Sequence, residues 1–330
     1  MVEQHVGEHP FDQLTPDFII DAVEGLNHLS DGRIFALNSY ENRVYQVGLE
    51  EETPLIAKFY RPGRWTNEQI LEEHNFCFEL SESDISIVAP LRDGSGNSLF
   101  EHEGFRFSLY PRCGGRAPEF DNLDNLFHIG QVLGRLHHIG SLRSFEHRPV
   151  LDVKSFGHQS ADFIAEKFIP SALKLPYRSL VDDLLQLLDE IYQPHQQKLI
   201  RVHGDCHVGN LLWRDETPHF VDFDDARMAP AIQDVWMLLS GDRERRTAQL
   251  SEIVEGYNEF NDFNVSEICL IEAFRTLRMM HYAAWLARRW HDPAFPKNFP
   301  DITGDRYWEE HILELREQFS LLQEEPLQLW

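Results

Sequence analysis

At 330 residues, with 42% hydrophobic, 26% charged and 12% aromatic side chains, the chain has the make-up of a folded protein of about two lobes rather than a disordered one. Thirty Lys plus Arg against fifty-five Asp plus Glu leave a formal charge of −25, a field that repels polyanions and argues against a nucleic-acid partner. The four cysteines lack zinc or disulfide spacing, no apolar run approaches the ~20 residues that cross a bilayer, and the N-terminus shows no basic-then-apolar leader, so a cytoplasmic protein with no membrane partner is expected.

From about residue 31 to 111 the pattern is short and β-like. Segments 43–47 and 55–60 read as strands joined through a polar, turn-prone stretch, and a second hairpin runs over 98–109 around Glu103 and Gly104. A helix over 66–80 lies between the two pairs, with Thr66 as candidate cap. After the Cys113-Gly114-Gly115 break the period moves from two to near 3.6. Ile129, Val132, Leu133 and Leu136 share one helical face, as do Val181, Leu184, Leu185, Leu188 and Ile191. Helices are expected over 266–290 and 308–322, with one β-rich patch over 199–221 between helical segments. The pattern implies an α+β fold of two lobes with a cleft between them: 1–111, β-rich, and 112–330, mostly helical.

The most informative stretch is 199–213, followed closely by 219–226. Both set polar groups directly after apolar strands, where loops on a rigid scaffold present reactive groups. His203, Asp205 and Asn210 have the His-x-Asp-x-x-x-x-Asn spacing of a kinase catalytic loop, and Asp222 follows 17 residues after Asp205, where such a loop is followed by a metal-binding Asp. Phosphoryl transfer needs these types. A carboxylate, Asp205, orients the acceptor hydroxyl and takes its proton, while Asn210 and Asp222 offer hard oxygens to Mg²⁺, which offsets the charge of the ATP phosphates. His207 stands two residues after Asp205, where protein kinases carry a Lys that touches the γ-phosphate. Two rival readings exist. An Asp in a turn commonly holds backbone amides, and His203, Asp205, His207 and Asp222 are all competent ligands for a hydrolytic zinc or iron centre.

In the β-rich lobe, Ile56-Ala57-Lys58-Phe59 reads like the Val-Ala-Ile-Lys strand of kinases, which assigns Lys58 to the α/β-phosphates; the alternative is an edge-strand lysine that deters aggregation. Glu72 or Glu73 on the next helix is placed to hold the ammonium, and Glu73 is preferred because its spacing to Phe76 and Leu80 sets it on the cleft-facing side. No Gly-x-Gly-x-x-Gly precedes Lys58. The turn from Leu37 to Tyr45 occupies that place instead, with Ser39 and the amides near Tyr40 to Asn42 as candidate phosphate contacts.

The string from His203 to Asn210, followed by Val-Asp-Phe-Asp-Asp at 221–225, resembles the aminoglycoside phosphotransferase and choline kinase superfamily, as does Leu-Gly-Arg-Leu-His at 133–137. Further strings at 37–45, 58–62, 70–74, 203–207, 233–239 and 292–300 resemble the bacterial stress response kinase A family over nearly the whole chain. That resemblance implies a choline-kinase-like, protein-kinase-like bilobal fold and a cytoplasmic, monomeric serine/threonine protein kinase that uses ATP and Mg²⁺ in stress survival. It also implies Asp205 as proton acceptor, Asn210 and Asp222 as magnesium ligands, and Ser39 as an ATP contact. Asp234 matches an Asp that buttresses the catalytic loop; an ordinary helix cap is its alternative. A kinase of amino alcohols or aminoglycosides, and a nucleotide-binding scaffold without catalysis, are the competing functions. Arg243, Arg245, Arg246, Arg275, Arg278, Arg288 and Arg289 gather in the helical lobe and read as solvated helix faces and ion pairs, or as a docking patch for an acidic partner.

Overall fold

The structure, a computed structural model, describes residues 9–195 and 198–330. The chain divides into two compact units, Met1–Gly115 and Arg116–Trp330.

In the first unit a 3-10 turn, Pro10–Gln13, leads into helix α1 (Pro16–Glu24), and both are absent from the expectations above. Thr15 caps α1 by accepting the Phe18 N–H, and Pro16 occupies the first turn, where its missing N–H costs nothing. Strands β1 (Ser30–Ala36), β2 (Arg43–Leu49) and β3 (Leu55–Phe59) follow, then α2 (Asn67–Glu82), β4 (Phe100–His102) and β5 (Phe105–Pro111). Among the described residues they form one antiparallel five-stranded sheet in the order β1-β2-β3-β5-β4. Both hairpins read from the sequence are present. Glu103 and Gly104 take positive φ at the β4–β5 turn, where glycine adopts that conformation without a Cβ penalty. Thr66 caps α2 reciprocally: its hydroxyl accepts from the Gln69 N–H while the Gln69 side chain accepts from the Thr66 N–H. The core is aromatic. Phe18, Phe59, Phe105 and Phe107 are buried with ring centroids 5.2–6.1 Å apart, each stabilising the fold by roughly 1.5–3 kcal/mol through burial.

The second unit contains α3 (Leu123–Ser141), α4 (Gln159–Lys167), α5 (Lys174–Tyr192), β6 (Ile200–Val202), β7 (Leu211–Arg214), β8 (Thr217–Phe220), β9 (Arg227–Ala229), α6 (Arg243–Asn258), α7 (Ile271–Arg288), α8 (Ala294–Asn298) and α9 (Asp305–Leu321). The apolar faces predicted for α3 and α5 are the buried ones, apart from half-buried Ile191. Where one helix was expected over 266–290, a tight 3-10 stretch, Val265–Leu270, capped by Asn264, leads into α7. The β patch is two small antiparallel pairs, β6 with β9 and β7 with β8.

Helices α3 and α6 meet backbone to backbone. A Cβ on Gly130 or Gly134 would lie 2.1 or 2.5 Å from the carbonyl oxygens of Ile253 or Tyr257, and one on Gly256 would lie 2.1 Å from that of Phe127. No side chain fits in that seam. The close approach fixes the axial register of α3 against α6 and so places His137 opposite Tyr257.

Candidate functional site

The chemistry predicted at 203–225 is gathered in the second unit, in the two loops that follow β6 and β8. His203, completely buried, ties them together. Its Nδ1 accepts from the Asp205 N–H (3.3 Å), so its Nε2 carries the proton and donates to the Val221 carbonyl (2.9 Å). Both ring nitrogens are thereby committed to backbone. This argues against His203 as a metal ligand, and among the described residues no three His, Cys, Asp or Glu side chains converge on a possible ion site.

Asp234, also completely buried, braces the same loop. It accepts from the N–H of His203 (2.7 Å) and of Gly204 (2.8 Å) and contacts His137 Nε2 at 3.0 Å. On the far side of that imidazole, Nδ1 lies 3.2 Å from the Tyr257 hydroxyl, which accepts from Asn261. Asp234 is therefore a buttress and not an ordinary helix cap, and the histidine of the 133–137 string belongs to its network. Gln233 contributes by donating to the Gly204 carbonyl (2.9 Å). Gly204 has φ +86°, and a Cβ there would sit 2.2 Å from the Asp225 carbonyl oxygen, so only glycine lets the two loops touch.

Asp205 stands on this platform with its side chain 22% exposed. His207 Nε2 lies 3.4 Å from one oxygen and Arg278 Nη1 lies 2.6 Å from the other. Burial pushes the carboxyl up, but the His207 hydrogen bond and the Arg278 charge outweigh it and hold Asp205 below the usual carboxylate range. His207 Nδ1 accepts from the Gly209 N–H (3.0 Å), which sets the proton on Nε2, the nitrogen that faces Asp205.

Asn210 donates its side-chain N–H to the Asp205 carbonyl (2.9 Å), and its own carbonyl accepts from the Val221 N–H (3.0 Å). The amide nitrogen is thus committed and the amide oxygen remains available. Asp222, next to Val221, is exposed and left-handed (φ 61°, ψ 70°), a conformation that costs a non-glycine residue about 1 kcal/mol or more. An accessible amide oxygen and an accessible carboxylate on adjoining backbone suit a hard cation that keeps several of its waters, which is how Mg²⁺ is bound. Behind them, buried Arg148 donates to the carbonyls of Asp224 (2.5 Å) and Ala226 (2.8 Å), and Arg227 donates to the carbonyl and carboxylate of Asp225.

In the first unit, Lys58 lies on central strand β3, paired across to Val44 and Ser108 and 5% exposed. It is not an edge lysine. Glu73 is 1% exposed on the inner face of α2 with Phe76 and Leu80, whereas Glu72 is half-buried. The Tyr60 phenol registers both buried charges. Burial pushes its pKa up, Glu73 adds to the rise and Lys58 opposes it. His74 links Tyr60 (2.8 Å) to Ser98 (2.9 Å). In the turn before β2, the Ser39 hydroxyl donates to the Asn42 carbonyl (3.2 Å), and the buried Asn42 side chain accepts from the Arg61 N–H (3.1 Å). Arg61 also donates to the carbonyls of Tyr40 and Glu41. The Asn42 amide oxygen is therefore spent on holding the turn.

Arg278 and Arg148 were not singled out from the sequence for the site; Arg278 is 73 residues from Asp205, a separation that no local spacing encodes. Among the described residues no helix is long and apolar enough to cross a membrane, and none of the four cysteines forms a disulfide.

Comparison with known proteins matches residues 34–268 to the phosphotransferase enzyme family. The chain is 45% identical over 320 residues, 97% of each protein, to stress response kinase A of Escherichia coli O157:H7. It is 44% identical, again over 97% of each, to the serine/threonine protein kinase RdoA of Salmonella typhimurium. In fold it is similar to a microcompartment-associated aminopropanol kinase, with a TM-score of 0.66 at 18% identity covering 90% of this chain and 99% of the other. The α+β architecture is accordingly the phosphotransferase fold, and the chain belongs to the phosphotransferase enzyme family as a kinase of its stress response kinase A branch.

Proposed function

We propose that the protein is an ATP- and Mg²⁺-dependent serine/threonine protein kinase that also phosphorylates itself, acting in a stress response as a cytoplasmic monomer. Residues 1–111 serve as its nucleotide-binding part and 112–330 as its catalytic and substrate-binding part. The observation that carries the reaction type is the grouping of Asp205, Asn210 and Asp222 on two loops cross-tied through His203 and Asn210. The protein acceptor is supported by 44% identity, over nearly the full length of both chains, to a protein named as a serine/threonine kinase.

Asn210 and Asp222 hold magnesium, whose charge offsets that of the triphosphate when bound. Asp205 accepts a hydrogen bond from the acceptor O–H and takes its proton as the hydroxyl oxygen bonds the γ-phosphorus. The bond from the γ-phosphorus to the β–γ bridging oxygen breaks, and ADP leaves. The His207 and Arg278 contacts that lower the Asp205 pKa favour the ionised carboxylate, the form that accepts the hydrogen bond from the acceptor hydroxyl. His207, beside Asp205, meets the γ-phosphoryl group. Lys58, kept in the sheet near Glu73, holds the α- and β-phosphates, and Ser39 with the amides of the 40–42 turn contacts the same chain of phosphates. Asn42 acts by shaping that turn.

Purified protein incubated with γ-labelled ATP and Mg²⁺, with no acceptor added, tests the reading. Label retained on the polypeptide, and lost in Asp205→Asn, is expected. Label that appears only on an added amino alcohol would replace the protein acceptor with a small molecule. Absence of magnesium-stimulated ATP consumption would refute catalysis itself.

A further inference from the structure

We propose that Arg278 selects the acceptor: together with a basic and aromatic stripe along α7 it favours a serine or threonine flanked by acidic residues and disfavours an acceptor that carries an ammonium group. The inference rests on the protein-kinase reading above and names the class of substrate that the site takes.

The Arg278 guanidinium is 2.6 Å from the proposed proton acceptor, and its side chain is 41% exposed, so this charge stands at the surface beside Asp205 and not behind it. Arginine cannot shed its proton in a protein, which makes the flanking charge permanent. An acceptor hydroxyl that reaches Asp205 must bring its neighbouring groups alongside that cation. In aminopropanol, the substrate named for a protein of this fold, the ammonium lies within two or three carbons of the hydroxyl and would be set directly against Arg278. A glutamate or aspartate next to a serine would be drawn to it.

The stripe extends the selection beyond one residue. At 3.6 residues per turn, Arg275, Arg278, Tyr282 and Trp285 fall on one line of α7, with Arg289 just past its end; from Arg278 to Trp285 the line runs about 10 Å. Tyr282 is 43% exposed and stacks on Trp285, centroid to centroid 5.5 Å. Glu272 contacts both Arg275 (3.2 Å) and Arg246 (2.6 Å), so one carboxylate is shared by two guanidinium groups and the cluster keeps a positive balance. His207 and Asp225 are the other titratable groups that act on Asp205. On a chain of net charge −25 the stripe sets three arginines, Arg275, Arg278 and Arg289, along one line of α7 and its C-cap. The overall field attracts cations from a distance, but screening ends its influence within about 8–10 Å, and at contact the groups beside Asp205 decide.

Two peptides identical except for the residues flanking a single serine, glutamates in one and lysines in the other, test the proposal with γ-labelled ATP and Mg²⁺. The unmodified protein should show a kcat/KM at least about tenfold higher for the glutamate peptide. Arg278→Lys should keep that order, and Arg278→Glu should reverse it. Arg289→Glu, at the far end of the stripe and away from Asp205, should raise KM for the glutamate peptide with kcat unchanged, and it carries the test even if Arg278→Glu fails to fold. Equal use of the two peptides by the unmodified protein, or a preference untouched by both glutamate substitutions, overturns the proposal. Label on aminopropanol and on neither peptide overturns the protein-kinase reading, and this inference with it.

Discussion

Replacing Asp234 by Asn tests whether a buried carboxylate holds the 203–210 loop in place. The change is nearly isosteric, so packing is preserved and only hydrogen bonding is altered. Asp234 receives the His203 and Gly204 amides and contacts the His137 imidazole, at 2.7, 2.8 and 3.0 Å. Asparagine keeps one acceptor oxygen and turns an N–H₂ group toward at least one of those donors. A hydrogen bond to a charged group contributes about 1.5–3 kcal/mol, and a buried donor left unmet costs about 1–3 kcal/mol, so a loss of roughly 3 kcal/mol is expected. With a urea m-value of about 3 kcal/mol/M, the unfolding midpoint should drop by about 1 M. Urea titration followed by far-ultraviolet circular dichroism reads the first effect. Magnesium-stimulated ATP consumption, measured well below the midpoint, reads the second and should fall at least tenfold because the Asp205 loop loses its anchor. His137→Leu combined with Asp234→Asn should be less than additive, with a coupling of about 1 kcal/mol or more. An unchanged midpoint together with unchanged turnover would refute the bracing role.

Gly204→Ala should destabilise by more than about 3 kcal/mol, since the new Cβ meets backbone at 2.2 Å and the residue is left-handed; Gly209→Ala, which meets only the His207 ring, should cost far less in the same titration. Glu73→Gln should lower kcat/KM for ATP by tenfold or more while half-buried Glu72→Gln stays near the unmodified value, and the reverse order would move the Lys58 partner to Glu72. Burial holds His311 down at about 4 against an ordinary value of 6.5. The unfolded chain therefore binds the extra proton first, and stability that is complete above pH 6.5 is lost as pH falls toward 4. That loss amounts to about 3 kcal/mol, a slope of about 1.4 kcal/mol per pH unit that His311→Phe should remove from a pH series of urea midpoints.

The candidate loop from His203 to Asn210 stood out in the sequence because its parts are local. Asp205 and Asn210 are five residues apart on one loop, and the Asn210 side chain closes back on the Asp205 carbonyl. Both hairpins and α2 were legible for the same reason, since turn residues and a capping box act over three or four positions. The braces were not. His137 and Asp234 are 97 residues apart and Arg278 and Asp205 are 73 apart, pairings that only the packed helices create. Helix α6 also escaped, because its buried side mixes Gln249 and Gly256 with Leu250, Ile253, Val254 and Tyr257, which blurs the apolar stripe that marks a helix. Lys58 and Glu73 were legible as candidates, yet their burial could come only from the tertiary structure.

The glycine seam between α3 and α6 bears on how the protein ages under mutation. Elsewhere a lost methyl can be absorbed by neighbours that swing into the gap, but two main chains in contact have nothing to swing. A single added carbon at Gly256 would meet the Phe127 carbonyl, wedge the helices apart and draw His137 away from Asp234, translating one methyl group into a slack 203–210 loop. Damage far from the reacting atoms would then present as lost turnover in a molecule that still folds.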